Sequence, residues 1–310
     1  MPKRLTVQQK IWRKTINALR DTLDIALFWR PREKRDLLYV KFLAYRDLRH
    51  WPDTQRPQRL LDYLIKALFD DPDLCRRRFI TDKELAKVYI KGVCPDARVP
   101  RTLAVLRTEA ELRTYDFPNP CVIKSTHGSG DALIYRGQSL DYTSLMKYFQ
   151  PRHYRATREI NYRLLAEKIL VEEYLDEGTG QGATDYKIWC FFGRAQFVRV
   201  LSNRQTGLVT STYSREWVKL NFMKNEVDHP KPECLGELMR LADRLSEPFH
   251  HMRIDCYVVQ GQAYVGEITS LHQGGRVRFD GRPEVDLLLA PLMEDPSADL
   301  LSLLGMKPPA

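Results

Sequence analysis

Two apolar runs, residues 252–259 and 263–269, are separated only by Gln260-Gly261-Gln262. A connection that short, with a glycine in it, makes the two runs neighbouring antiparallel strands. Asp255 and Glu267 then lie side by side on one face. Adjacent carboxylates repel unless a cation sits between them, and hard Mg²⁺, often shared with substrate phosphates, suits such a pair. Thr269 follows Glu267 by two residues and so shares its face, where its oxygens can join the same cation. A solvated hairpin face would also carry acids. The flanking Ile254, Cys256, Val265 and Ile268 argue instead for buried strands.

A second motif lies earlier. Val122-Ile123-Lys124-Ser125-Thr126-His127-Gly128-Ser129-Gly130 runs from a compact apolar strand into a loop of small residues. Glycines let backbone N–H groups approach an anion, and a lysine at the strand end adds a point charge. The Gly-Lys-Ser/Thr ending of a P-loop is absent. On its own the segment also fits an ordinary turn. A third segment, residues 169–175, is an apolar strand ending in Glu172, Glu173, Tyr174 and Leu175. Such a hinge can offer backbone N–H and C=O groups to a purine edge, or be a plain strand end.

The rest of the chain reads as short helices and strands. Residues 6–29, 36–48 and 58–69 have helical spacing, with Pro31 breaking the first pattern. Leu60, Leu61, Leu64, Ile65 and Leu68 form a stripe expected to pack on the main domain. Thr81-Asp82-Lys83-Glu84 resembles a capping box opening a helix through Val88. Residues 98–106 are strand-like, and 139–148, 156–168 and 235–245 are helical. Residues 186–192 and 195–201 form a hairpin turning at Gly193-Arg194, and 176–184 are a flexible loop. Helices mixed with antiparallel hairpins indicate an α+β architecture.

The chain has 310 residues and a net charge of +9. Residues 1–60 hold 15 basic and 6 acidic side chains, and the remaining 250 residues hold 34 of each. The positive charge therefore belongs to the N-terminal segment. It suits a phosphate-rich partner or a solvated helical face. Its aromatics lie at helical core spacing rather than as stacking platforms, which argues against nucleic acid. No uncharged apolar run reaches the length of a membrane span, and no apolar stretch of the signal-peptide type follows the basic start. The six cysteines form no CxxC pair and have no zinc-finger spacing, so reduced thiols are expected. No Ser/His/Asp or Cys/His set suggests a covalent nucleophile.

Taken in order, the pieces resemble the ATP-grasp superfamily, and within it the TupA-like group named for teichuronopeptide biosynthesis. The resemblance rests on Thr81-Asp82-Lys83, residues 122–130 and 171–175, Asp185-Tyr186-Lys187, Arg253-Ile254-Asp255 and residues 264–269, and covers roughly 75–290. It implies an ATP-grasp fold with a nucleotide held between two α+β lobes, preceded by a basic helical segment over 1–74. The lobes would span 75–120, 121–175 and 176–295, with a tail at 296–310. It further implies ATP and Mg²⁺ as cofactors. Lys83 and Lys124 would hold the α- and β-phosphates, and His127, Gly128, Ser129 and Gly130 would cover the triphosphate. Glu172, Glu173, Tyr174 and Leu175 would face the adenine and Asp185 the ribose. Lys187 would sit near the γ-phosphate, Arg253 would stabilise charge on an acyl phosphate, and Asp255, Glu267 and Thr269 would bind metal. Many ATP-grasp ligases have Asn where this chain has Thr269, a poorer metal ligand, so the resemblance implies one Mg²⁺ more firmly than two. His272 and Gln273, in the Ser270–Gly275 stretch, match no family role.

The implied activity is ATP-dependent carboxylate–amine ligation, joining an amino acid or amine to a uronic acid of a cell-surface glycan. A cytoplasmic enzyme, peripheral at the inner membrane face through residues 1–60, fits that expectation. Arg158, Arg199, Arg204 and Arg215 are spare cations for a substrate carboxylate. Two alternatives stay open at this point: a kinase of the same fold acting on a sugar, and a non-enzymatic membrane or nucleic-acid adaptor built on the basic segment.

Overall fold

The computed structural model describes residues 18–307 apart from 19, 23, 179–181, 203–207, 224, 278, 280, 281 and 283. Most of the expected 6–29 helix and Arg204 therefore lie outside the described residues. Two antiparallel sheets organise the chain. A four-stranded sheet has the order β1 (Thr102–Leu106), β4 (Ile169–Glu173), β2 (Cys121–Ser125), β3 (Ala132–Tyr135). A five-stranded sheet has the order β7 (Val209–Ser214), β6 (Arg194–Ser202), β5 (Thr184–Phe191), β8 (His251–Val259), β9 (Gln262–Thr269). β1 comes from the 75–120 stretch yet pairs with β4, so that stretch and 121–175 share one sheet.

Alternation sorts each strand into a core face and a working face. On β2, Cys121 and Ile123 join Leu106, Leu112, Ile169 and Val171 in the core of the small sheet. On β5 and β8, Ile188, Ile254 and Cys256 pack beneath the Leu235–Ser246 helix with Leu238, Leu241 and Leu245. The opposite faces carry the charged residues.

The N-terminal helices complete the larger domain. Leu60, Leu64 and Leu68 of the Leu60–Phe69 helix pack with Ile160, Trp189 and Phe197, while Leu61 and Ile65 pack with Val40 and Ala44. The expected stripe thus faces the main domain on one side and the Arg32–Leu48 helix on the other.

Several local expectations are corrected. The helix over Lys83–Val93 is capped by Asp82, whose carboxylate accepts from Glu84 and Leu85 N–H, while the Thr81 hydroxyl donates to the Arg77 carbonyl one turn back. The 156–168 stretch is not one helix. The Arg152–Thr157 helix ends in left-handed Arg158, and only a short 3-10 turn over Ile160–Tyr162 follows. The β5–β6 turn is Phe192-Gly193, both at positive φ, which matches the twist of a tight hairpin. β8 and β9 turn through Gln260-Gly261 in the same way. β3 and β7 were not anticipated.

Candidate functional site

The hairpin register places Asp255 directly opposite Glu267, and Lys187 of β5 directly opposite Asp255. Three charged side chains therefore stand in one row across three strands, pointing to the same face. Two residues along, Arg253 pairs with Thr269. Arg253 Nε and Nη2 donate to the two oxygens of Asp255 at 2.6 and 2.7 Å, and Nη2 also donates to Thr269 Oγ1 at 3.1 Å. Lys187 Nζ donates to Asp255 at 2.5 Å and lies 3.0 Å from Asp185. Burial alone would raise the Asp255 pKa, but Arg253 and Lys187 hold it below the usual carboxylate range. For Glu267 burial again opposes ionisation, and Lys83, 3.3 Å away, together with Lys124 and Lys187 outweighs it and holds the pKa below the usual carboxylate range.

The small sheet supplies the facing cations. Lys124, next to the last residue of β2, lies on the face opposite Ile123 and forms a close ion pair with Glu172 of β4, two residues along from its register partner Leu170. Lys83 opens its helix, and its backbone N–H donates to the Thr126 carbonyl, which docks the helix end against the end of β2. Its Nζ donates to the Gly128 carbonyl, so one lysine ties the glycine loop to the acid row.

Between the sheets lies a cavity of about 300 Å³. Lys83, Lys124, Gly128, Ser129, Gly130, Glu172, Glu173, Tyr174, Leu175, Asp185, Lys187, Asp255 and Glu267 all line it. Three sequence candidates stand outside that lining. His127 is buried, and its Nε2 donates to the Gln150 carbonyl at 3.0 Å, so it anchors the loop from behind. Burial also lowers its pKa, which keeps the ring neutral. Arg253 and Thr269 lie two positions along the strands from the lining acids. The hinge is fastened by Glu173, whose N–H donates to the Arg101 carbonyl and whose side chain accepts from Arg101 N–H. Tyr174 Oη accepts from Arg136, which also lies over the ring.

Pro100, Val122, Ile134 and Tyr257 line the cavity as well, beside the expected Leu175, and none of these four was a sequence candidate. Val122 and Tyr257 were findable, since each lies two residues from a chosen charge on the same strand. Pro100 and Ile134 carry no such signal. Of the spare arginines, Arg158 is buried against Asp24 and Asp36, and Arg215 pairs with Asp243.

The donor set can accept a divalent cation. Asp255 and Glu267 offer hard oxygens in adjacent positions, and Lys83, Lys187 and Arg253 favour the ionised carboxylates that a cation needs. Among the described residues, no group of three or more His, Cys, Asp or Glu side chains converges as a complete metal shell. A pair of adjacent carboxylates fits Mg²⁺ completed by phosphate oxygens and water, rather than a structural metal site.

Residues 73–293 match the family described as TupA-like ATPgrasp. The chain belongs to the TupA-like ATP-grasp family and has an α+β ATP-grasp fold. No curated protein sequence matches it. Among solved structures, it is similar to D-alanine–D-alanine ligase from Helicobacter pylori, with 15% identity and a TM-score of 0.42 over 70% of this chain and 58% of that one. The Bacillus anthracis D-alanine–D-alanine ligase gives 15% and 0.42 over 74% and 66%. The ATP-grasp ligase PsnB with minimal precursor, Mg and ADP gives 13% and 0.39 over 71% and 60%. The chain thus spans about three fifths of the length of these proteins. The family assignment rests on the sequence match rather than on these distant likenesses.

Proposed function

We propose that the protein is an ATP-dependent carboxylate–amine ligase. The observation that carries this reading is the row Lys187–Asp255–Glu267, facing Lys83 and Lys124 across one cavity with an apolar slot at its hinge end. Such a cavity suits a flat base at one end and a polyphosphate at the other. Pro100, Val122, Ile134 and Leu175 would enclose the adenine, and the backbone of residues 173–175 would meet its edge. Asp185 would take the ribose. Lys83, Lys124 and the N–H groups of residues 128–130 would hold the phosphates.

In the first step an acceptor carboxylate oxygen attacks the γ-phosphorus. The bond from that phosphorus to the β–γ bridging oxygen breaks, and ADP leaves. An amine nitrogen then attacks the acyl carbon, phosphate departs with the carbon–oxygen bond electrons, and the nitrogen loses a proton to give an amide. Mg²⁺ held by Asp255 and Glu267 would neutralise charge on the transferred phosphoryl group. Lys187 would orient the γ-phosphoryl end, and Arg253, held in the plane of Asp255, would bear on the acyl-phosphate oxygens. The chain itself contributes position and fixed charge.

The finer reading is that the carboxylate belongs to a uronic acid of a cell-surface glycan, with an amino acid or amine as the second substrate. This reading follows from the resemblance to the group named for teichuronopeptide biosynthesis and from the positive charge of residues 1–60. The test is Mg²⁺-dependent ADP release with uronate-containing acceptors and pooled amino acids, with products read by mass. A product lighter by one water than acceptor plus amine establishes the ligase. Phosphate added to the acceptor without amine replaces it with a kinase. A folded protein that binds no ADP removes the nucleotide reading altogether.

A further inference from the structure

Glu172 belongs to the hinge expected to meet the purine mostly through its backbone, and its side chain is turned between two lysines. Lys124 Nζ pairs with Oε1, and Lys87 Nζ lies 3.0 Å from Oε2. Lys87 also donates to the Pro100 carbonyl at 2.6 Å and to Thr102 Oγ1 at 3.0 Å. It sits four residues after Lys83 on the Lys83–Val93 helix, so both lysines project from one face toward the cavity. Only Lys83 lines it. Lys87 stands behind the wall, touching Pro100 and Glu172, which both line the cavity.

We infer that Lys87 is a positioning residue of the nucleotide site, acting on the phosphates through Glu172 and Lys124. Charge sharing among these three side chains carries the inference, which rests on the nucleotide reading above. Glu172 is almost fully buried and carries one negative charge. Were Lys124 its sole partner, the pair would be neutral and the lysine strongly held. With Lys87 on the other oxygen, the group of three carries a net positive charge, and Lys124 can turn to an anion without leaving Glu172 bare. Removing one cation from a buried cluster otherwise leaves the carboxylate to capture the other. Lys87 also fixes Pro100, one wall of the slot, so that the same side chain serves wall and phosphate end.

Binding of ADP and of adenosine, each with Mg²⁺, is measured by calorimetry on the full chain, for wild type, Lys87→Met, Lys87→Arg and Lys91→Met. Lys91 is one turn further along and donates to the Pro95 and Ala97 carbonyls, remote from Glu172, so its variant controls for loss of a lysine on this helix. The expected result is roughly tenfold weaker ADP binding in Lys87→Met, the scale of one lost charge-assisted contact. Adenosine should change by less than about threefold, Lys87→Arg should restore most of the ADP affinity, and Lys91→Met should bind as wild type. Equal losses for ADP and adenosine would overturn the inference, because that is the signature of a collapsed wall alone. Unchanged ADP affinity in a folded Lys87→Met protein would overturn it as well. Wild type that binds no ADP would instead fail the nucleotide reading on which this one stands.

Discussion

Asp255→Asn isolates the charge at the centre of the site. The substitution keeps the shape and removes one negative charge from a carboxylate that is 3% exposed. Asp255 accepts from Arg253 at 2.6 and 2.7 Å and from Lys187 at 2.5 Å. An amide can accept at one oxygen only, and its NH₂ would face a donor. Breaking a buried pair by removing one partner costs roughly 3–5 kcal/mol, and these three contacts act as one unit rather than adding. The predicted loss of unfolding free energy is therefore about 3–5 kcal/mol at pH 7. The pH dependence supplies a second reading. Burial would raise the Asp255 pKa, but Arg253 and Lys187 depress it below the unfolded value. A depressed carboxylate contributes stability above the unfolded pKa and loses it as pH falls through the folded one. The gap between wild type and variant should thus be full at neutral pH and close below about pH 4. Guanidinium unfolding at several pH values measures it. A gap under about 1 kcal/mol at pH 7, or one that persists unchanged while the protein stays folded in acid, refutes the reasoning.

Other expectations follow from the same coordinates. In Gly128→Ala the new Cβ would meet Ser125 Oγ at 2.5 Å and Asp131 Oδ2 at 3.0 Å, so the loop must shift and ADP affinity should fall about tenfold. Ser125→Ala on top of it should recover much of that loss, since calorimetry then sees the closest clash removed. In Gly266→Ala the Cβ would lie 2.4 Å from a ring carbon of Tyr257, a lining residue, and denaturant unfolding should show a loss of about 1–3 kcal/mol. Leu64→Ala should cost about 2–5 kcal/mol if the Leu60–Phe69 helix is part of the domain core, as its packing on Trp189 and Phe197 requires. All six cysteines are free and Cys75 alone is exposed, so a thiol reagent followed by mass analysis should give one fast adduct on native protein and six on unfolded protein.

Local rules carried the sequence reading a long way. A three-residue connection between apolar runs is enough to make a hairpin, and the period of two then aligns Asp255 with Glu267 before any fold is known. The same rule explains why Lys124 of β2 faces the cavity while Ile123 is buried. Helical spacing likewise located the Leu60–Phe69 stripe. Where the sequence signal was weak, neighbours in space decided. Residues 156–168 have helical composition, but the chain turns at left-handed Arg158, whose guanidinium pairs with Asp24 and Asp36 far back in the chain. Thr81 and Asp82 are equally good caps on paper, and Asp82 prevails where Lys168 pairs with its carboxylate and Asn161 donates to Thr81.

The sequence by itself determined which charges share a strand face, because alternation is local and needs no partner. Only the tertiary structure decided which charges meet. Lys187 reaches Asp255 because β5 pairs with β8, and those strands are about 70 residues apart. Lys83 reaches Glu267 because its helix docks against the end of β2. Lys87 gives no sign of its importance in the sequence, being one of many lysines on an amphipathic helix. Its place beside Glu172 depends on packing between a helix and a sheet whose strands close only when the whole domain folds.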